Sequence, residues 1–377
     1  MNYTTEYWLD YFGKNDITID KSSFALFCLP YMKQNDSLLD ICCGNGRDSM
    51  FFHNNGISTY AFDLSPRNDT EFNFKELNLE NKEHNFLFND LFFNSVYCRF
   101  VLHSVPEILE DYILINSNRV LKEDGFLFIE VRSDKGFISK EIDNHYRRLL
   151  NIDVLEEKLI NLNFEIIFKQ ESDNLSIYKN DNPTLIRIIA KKKGQIKIQD
   201  EKSFADYKKT TGCVDANLSK YLLLKIKHIL DNHNIVFLLL FGTLLGAYRE
   251  KKFIEYDTDI DLGFFFNNAE DIRTLINEGY FAVYGIKFIR DLGSPSILFS
   301  LTYKNDYIDF YFFTKEIKSL SYKCDVYYSI SDIQIESKLT QIEFLGCSFL
   351  TVNNIEDYLT KVYGNWKTPL ENYHADQ

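Results

Sequence analysis

The 377-residue chain has only 6 prolines and 16 glycines, and no low-complexity tract interrupts it. Seven cysteines are present but no CxxC pair, which argues against a zinc ribbon and against a disulfide scaffold. Reduced thiols in a cytosolic protein are the plain expectation. No apolar run is long enough to cross a membrane. The longest, Ile235–Ala247, spans 13 residues and contains Gly242 and Thr243, against the roughly 20 a span needs. The first sixteen residues carry acidic groups and no positively charged start before an apolar run, so they do not read as a signal peptide. A soluble, cytoplasmic protein is expected. Basic residues are also in deficit, with Lys+Arg 42 against Asp+Glu 55 and a net charge of −13. That balance argues against a nucleic-acid partner, which would call for a basic face, and against a polybasic membrane anchor. Hydrophobic residues at 45% and charged residues at 26% are ordinary globular usage, so wholesale disorder is excluded.

The length implies two domains. Lys191–Gly212 is polar and charged without periodicity, and it follows the strand-like LIRIIAKKK. The boundary is placed near Gly194, giving domains 1–194 and 195–377. In the first, strand-like runs (LLDIC, TYAFD, SVYCRFVL, GFLFIEV) alternate with helical ones (DSMFFHNN, DYILINSNRVL, DVLEEKLINLN). Such alternation predicts an α/β domain, a doubly wound and mostly parallel sheet with helices on both faces. The second opens with a helix and continues through VFLLLF, DIDLGFFF, SILFSLTY, YIDFYFF and KCDVYYSI as strands, which reads as α+β.

The first chemical constellation is LLDICCGNGRDSMFF, Leu38–Phe52: strand, glycine-containing turn, helix. Glycine lets backbone N–H groups approach a ligand closely. A second strand ends in Asp63, at the position from which a carboxylate accepts hydrogen bonds from ribose hydroxyls. These residues resemble the class I S-adenosylmethionine-dependent methyltransferases, a Rossmann-like family whose first motif is D-x-G-C-G-x-G. Here it reads Asp40-Ile-Cys-Cys-Gly-Asn-Gly46, with Asn94–Glu107 and Arg119–Ser133 as further matching segments. The resemblance covers about residues 20–192. It implies S-adenosylmethionine as cofactor, with Asp40, Cys42, Gly44 and Gly46 at its methionine part, Asp63 at its ribose and Asn78 near its adenine. The departure is Cys42, a side chain where the family's backbone runs bare. For the methyl acceptor, His103 is a candidate general base, and the His145-Tyr146-Arg147-Arg148 cluster a candidate holder of an anionic acceptor. The alternative is a packed core histidine and a solvated helix face.

The second constellation is LLLFGTLLGAYREKKFIEYDTDIDLGFFF, Leu238–Phe266. Gly242-Thr243 turns a strand into a helix and presents backbone N–H groups to a phosphate. Asp257, Asp259 and Asp261 follow at alternate positions, on one face if the segment is a strand. Three adjacent carboxylates call for a divalent cation, and hard oxygen ligands favour Mg²⁺ or Mn²⁺. Asp309, embedded in the apolar YIDFYFF, is expected to join Asp259 and Asp261 as a metal ligand or to take the proton of an acceptor hydroxyl. Arg249 is expected to neutralise a phosphate, and Trp366 either to stack on a base or sugar or to lie in the core.

This layout resembles the nucleotidyltransferase fold and, more closely, the LicD/fukutin-like phosphotransferases, over about residues 205–370. The family pattern G-T-L-L-G-x-x-R, then F-I-P-W-D-D-D-I-D, is matched by GTLLGAYREKKFIEYDTDID, and Y-G-x-W-x-x-P by Tyr363–Pro369. Glu255, Tyr256 and Thr258 depart from it, whereas Asp259 and Asp261 are kept. A nucleotidyltransferase-like mixed sheet is implied, together with transfer of a phosphorylated alcohol from a CDP-activated donor to a glycan hydroxyl. The whole chain then reads as a bifunctional enzyme of surface-glycan assembly, such as capsule or lipopolysaccharide, with O-methylation of the same group or a neighbour. Fusion would raise one domain's product at the other. Peripheral association with glycan-assembly enzymes stays open. So do two alternatives: a nucleotidyltransferase making an activated precursor, and a non-catalytic nucleotide-binding scaffold.

Overall fold

The computed structural model describes residues 7, 9, 20–67, 71–79, 88–136, 147–177, 181–200, 215–291, 298–304, 306–315, 322–323 and 339–369. The chain forms two compact units, Met1–Ile196 and Lys197–Gln377.

In the first unit, helix α1 (Ser23–Cys28) precedes β1 (Ser37–Ile41), α2 (Arg47–Asn54), β2 (Ser58–Asp63), β3 (Asn73–Glu76), β4 (Phe93–Arg99), α3 (Glu107–Val120), β5 (Leu121–Arg132), α4 (Ile152–Asn161), β6 (Phe164–Ser172) and β7 (Leu185–Lys192). The sheet order is β3-β2-β1-β4-β5-β7-β6. The first five strands are parallel, and β7 and β6 are antiparallel additions. The mostly parallel, Rossmann-like sheet is therefore as expected. Strand order reverses between β1 and β4, which opens a crevice at their carboxyl ends. On one face Phe24, Phe52, Tyr97, Phe128 and Ile189 form a buried cluster. Helices α3 and α4 are joined by Lys158, whose ammonium donates to Asp111 at 2.7 Å, Glu110 at 2.9 Å and Glu107 at 3.2 Å.

The second unit opens on α5 (Ala216–Asn232), whose N-terminus is capped by the Asp215 carboxylate and whose buried stripe is Leu222, Leu223, Ile226, Ile229 and Leu230. Strand β8 (Phe237–Leu239) leads into α6 (Phe241–Leu245) and a π-helical turn, Gly246–Glu250. Then come β9 (Ile260–Phe265), α7 (Ala269–Glu278), β10 (Lys287–Asp291), β11 (Leu298–Tyr303), β12 (Asp306–Lys315), β13 (Tyr322–Lys323), β14 (Thr340–Phe344), β15 (Cys347–Thr351) and α8 (Ile355–Tyr363). The mixed sheet runs β10-β11-β12-β9-β8-β15-β14, with β13 on β12. Four expected strands are present as β8, β9, β11 and β12. KCDVYYSI lies outside the described residues except Lys323, in β13. Strands β10, β14 and β15 (KFIRD, TQIEF, CSFLT) carry too little apolar character to announce themselves. One expectation changes: β9 starts at Ile260, so Asp257 and Asp259 stand in the loop before it and only Asp261 is on the strand. Among the described residues, no helix is long and apolar enough to cross a membrane, and Cys28, Cys42, Cys43, Cys98 and Cys347 are free thiols.

Candidate functional site

In the N-terminal unit, the turn after β1 is built from left-handed backbone. Gly44 has φ +56°, Gly46 +73° and Cys42 +50°. The departure at Cys42 is thus primarily a backbone matter: a non-glycine residue held left-handed costs about 1–2 kcal/mol. Burial pushes both turn thiols up, Cys42 further through Asp63 and Cys43 through Asp40, so both stay protonated and unreactive. Asp40, at the end of β1, is buried and accepts from Ser49 Oγ at 2.5 Å, so its carboxylate ties strand to helix. Burial raises its pKa well above the carboxylate range, with the Ser49 hydrogen bond opposing.

Asp63 fastens β2 to this turn. Its Oδ2 accepts the Gly44 amide at 2.8 Å and its Oδ1 the Ser65 amide at 2.9 Å. Burial raises its pKa while these amides pull it down. The Ser65 hydroxyl also bonds to it, so three donors meet this buried carboxylate. Asn78 lies half-buried two residues past β3.

The acceptor candidates land differently. His103 is buried in a short turn after β4, and its Nδ1 accepts the Arg132 amide at 3.3 Å, leaving Nε2 as the protonated nitrogen of a neutral ring. Arg148 neither lies on a solvated face nor is available to a ligand. It donates to Val105 O at 2.9 Å and Leu102 O at 3.2 Å and pairs with buried Glu110. His145 and Tyr146 lie outside the described residues. Sequence reasoning missed the charges that line this edge: buried Glu130 receives Arg99 at 2.8 Å and Arg187 at 2.6 Å. The signal was their alternation with apolar residues at the ends of β4, β5 and β7.

In the C-terminal unit, the carboxylates gather where β9 and β12 run parallel, with Asp261 and Asp309 register partners. Thr243 is buried, and its Oγ1 accepts the Asp261 amide at 2.9 Å. As an acceptor it ties α6 to β9. Asp257 lies against the Gly-Thr turn. A Cβ on Gly242 would stand 2.2 Å from Asp257 Oδ2, so any side chain there would have to push this carboxylate aside.

Period-2 geometry puts Tyr307, Asp309 and Tyr311 on one face of β12. Burial holds the Tyr311 hydroxyl protonated, and it donates to Asp261. Asp261 is pushed well above the carboxylate range by burial and then by Asp259, Asp257 and Asp309. Asp257 is pushed up to about 7 by burial and Asp259. Ser300, the register partner of Asp309 on β11, donates to its Oδ1. Arg290 on β10 donates to Ser300 Oγ at 2.9 Å and stands 3.7 Å from Asp309 Oδ2. Ser300, Arg290 and Tyr311 were not read from the sequence, although Tyr311 sits two residues from Asp309, the spacing that shares a strand face.

Arg249 is corrected. Its guanidinium donates to Trp366 O at 2.7 Å and to Glu250 at 2.6 Å, so it braces the segment after α8 and is not positioned to meet phosphate. Trp366 is the core residue of the two readings, buried, with Nε1 donating to Thr360 at 3.0 Å and its ring edge-on to Tyr248.

Among the described residues, no three His, Cys, Asp or Glu side chains converge as a ready-made metal cage. The expected Asp259–Asp261–Asp309 ligand set is thus not drawn together as such a cage, and Asp309 is met by Ser300 and Arg290. The donor chemistry still fits a hard cation. The loop and β9 carboxylates raise one another's pKa, and Mg²⁺ is commonly held by one or two carboxylates plus substrate phosphates.

Residues 18–164 match the family model of a methyltransferase domain. Residues 234–351 match that of the LicD/FKTN/FKRP nucleotidyltransferase domain. No curated protein matches the chain. Among solved structures, it is similar to the 1,6-didemethyltoxoflavin-N1-methyltransferase of Burkholderia thailandensis, a structure with bound S-adenosylhomocysteine. Identity is 16%, coverage 51% of this chain and 87% of that one, and the TM-score 0.42. It is also similar to a SAM-dependent methyltransferase from Methanosarcina mazei (18% identity, 46% and 99% coverage, TM-score 0.38). A third is one from Archaeoglobus fulgidus (20% identity, 44% and 90% coverage, TM-score 0.38). The chain joins a methyltransferase domain to a LicD-type nucleotidyltransferase domain.

Proposed function

We propose that the C-terminal unit transfers a phosphorylated substituent from a CDP-activated donor to a glycan hydroxyl, and that the N-terminal unit O-methylates the same group or a neighbour using S-adenosylmethionine. The observation that carries this reading is the placing of Asp257 against Gly242 and of Asp261 on Thr243, with Asp259 and Asp309 close enough to Asp261 to raise its pKa, inside the segment that matches the LicD model.

Asp259 and Asp261 are the residues that would hold a Mg²⁺ or Mn²⁺ ion. Bound there, such a cation neutralises charge on the donor diphosphate and its departing oxygen. The chain's own part is positioning. Thr243 fixes the backbone of Asp261, Tyr311 orients its carboxyl, and Ser300 with Arg290 holds Asp309 beside it. Arg290, and not Arg249, is the cation at this site. In the N-terminal unit, Gly44 and Gly46 adopt the left-handed backbone of the turn and Asp63 holds it, at the strand end from which it would meet a ribose. Cytoplasmic residence and action on capsule or lipopolysaccharide belong to the same reading.

The test is incubation of the full chain with CDP-choline, CDP-ribitol or CDP-glycerol, Mg²⁺ or Mn²⁺, and a glycan extract. Metal-dependent CMP release with one donor is the expected result and names the head group. No release from any of the three contradicts the donor class.

A further inference from the structure

Arg290, Ser300, Asp309 and Asp261 stand opposite one another on four neighbouring strands, β10, β11, β12 and β9. Directly paired residues share a sheet face, so these four side chains make one polar row. The pairs on either side of it, Phe299–Phe310 and Leu301–Ile308, are apolar.

The row depends on a β-bulge. Lys287 pairs with Thr302 and Phe288 with Leu301, so an unbroken register would set Ile289 against Ser300. The register instead shifts by one residue, and Arg290 takes that place. A bulge of this kind re-aims a side chain. Ile289, the extra residue, packs with Tyr307. The outer edge of β10 is held in turn, because Phe288 exchanges backbone hydrogen bonds of 2.8 Å with Ile198 and Asp200.

Donors run one way along the row. Arg290 Nε donates to Ser300 Oγ at 2.9 Å, and Ser300 gives its one O–H to Asp309 Oδ1. The Arg290 guanidinium also stands 3.7 Å from Asp309 Oδ2. Ser300 and Asp309 are buried, and Arg290 is half-buried. A buried carboxylate calls for a counter-charge, and Asp309 has one supplied by the protein. A divalent cation brought onto Asp309 would stand beside that guanidinium and be repelled by it.

We propose that Arg290 is a positioning residue: with Ser300, it holds Asp309 as the proton acceptor of the transfer step and keeps that carboxylate out of the cation's ligand set. This rests on the proposed transfer to a glycan hydroxyl. In that step the hydroxyl oxygen bonds to the donor phosphorus as the bond from that phosphorus to the CMP oxygen breaks. CMP leaves with the electron pair, and the hydroxyl proton passes to Asp309.

The full chain is compared as wild type, Arg290→Gln, Arg290→Lys and the double variant Arg290→Gln/Asp309→Asn. Mn²⁺ binding is measured by electron paramagnetic resonance with no donor present, and CMP release with the CDP donors and glycan extract. Loss of the positive charge in Arg290→Gln should tighten Mn²⁺ by about 3- to 10-fold, with Arg290→Lys near wild type. The double variant removes a neutral pair and should change Mn²⁺ affinity by less than about 3-fold, whereas loss of a true ligand would weaken it more than about 10-fold. In the same Arg290→Gln protein, kcat for CMP release should fall on the order of 10²-fold with donor KM little changed, and Arg290→Lys should recover part of it. Tighter metal with slower transfer separates a lost counter-ion from a damaged fold, which would weaken both. Mn²⁺ affinity that is unchanged or weaker in Arg290→Gln, or more than about 10-fold weaker in the double variant, overturns the proposal. So does the absence of Mn²⁺ binding by every form, or CMP release that Arg290→Gln leaves unaltered. Mn²⁺ shifts as expected with no CMP release by the wild type contradict the donor class alone, and Arg290 then stands as the counter-ion of Asp309.

Discussion

The carboxylate of Asp257 rests on the backbone of Gly242, so close that a methyl group there would lie 2.2 Å from Oδ2. A loop acid and the turn after β8 are thereby fitted to each other. Gly242→Ala is expected to swing the short Asp257 side chain aside at a stability cost below about 3 kcal/mol. The displaced carboxylate should nonetheless lower the transfer rate on the order of 10²-fold. Rate and melting temperature measured on the same preparation check this. A loss of activity that merely tracks unfolding would contradict it.

Thr243 acts on the same site through the backbone. Thr243→Val leaves the buried Asp261 amide without its acceptor and should destabilise the C-terminal unit by about 1–3 kcal/mol, whereas Thr243→Ser keeps the oxygen and most of the stability. Urea denaturation of both variants distinguishes this bond from simple packing by the threonine methyl.

How far this site could be read in advance depends on how local its causes are. The Gly242-Thr243 turn, Asp261 and Asp309 were legible because a glycine turn and strand alternation act over a few residues. Arg249 was misread because its partner, the carbonyl of Trp366, is 117 positions away, and no local pattern announces it. Ser300 and Arg290 reach Asp309 only through the register of β10, β11 and β12. The parallel order of the first sheet followed from alternating elements. The fate of Arg148 did not, because its partners lie on the turn after β4 and on α3.

Lys158 is the principal buried cation between α3 and α4. Burial alone would lower its pKa, but Asp111, Glu110 and Glu107 reverse that and raise it above the ordinary lysine value. Removing it takes the shared ammonium from buried Glu110 and Asp111, with Arg148 still on Glu110, so Lys158→Met should cost the N-terminal unit about 3 kcal/mol. The sign of the pH effect follows from a folded pKa above the unfolded one. The contribution is whole below about pH 10.4, the unfolded value, and is lost as pH rises through the folded one. Melting curves at neutral and alkaline pH should show the gap between wild type and Lys158→Met narrowing only above that value. A gap independent of alkaline pH would refute the assignment.

Cys42 offers a test of backbone strain. At φ +50°, Cys42→Gly should stabilise by up to about 1 kcal/mol, relief of left-handed strain being partly offset by glycine's greater unfolded-state freedom. Cys42→Val, with a branched side chain in the same conformation, should destabilise by more than that. Thermal unfolding monitored on the N-terminal unit checks both signs.

The measurement that bears most directly on the central claim is CMP release as a function of Mn²⁺ concentration, comparing wild type with Asp259→Ala/Asp261→Ala. The expected result is saturable, metal-dependent release by the wild type and none by the folded double variant. Release that persists in the double variant, or that ignores the metal, would contradict a carboxylate-held cation as the basis of transfer.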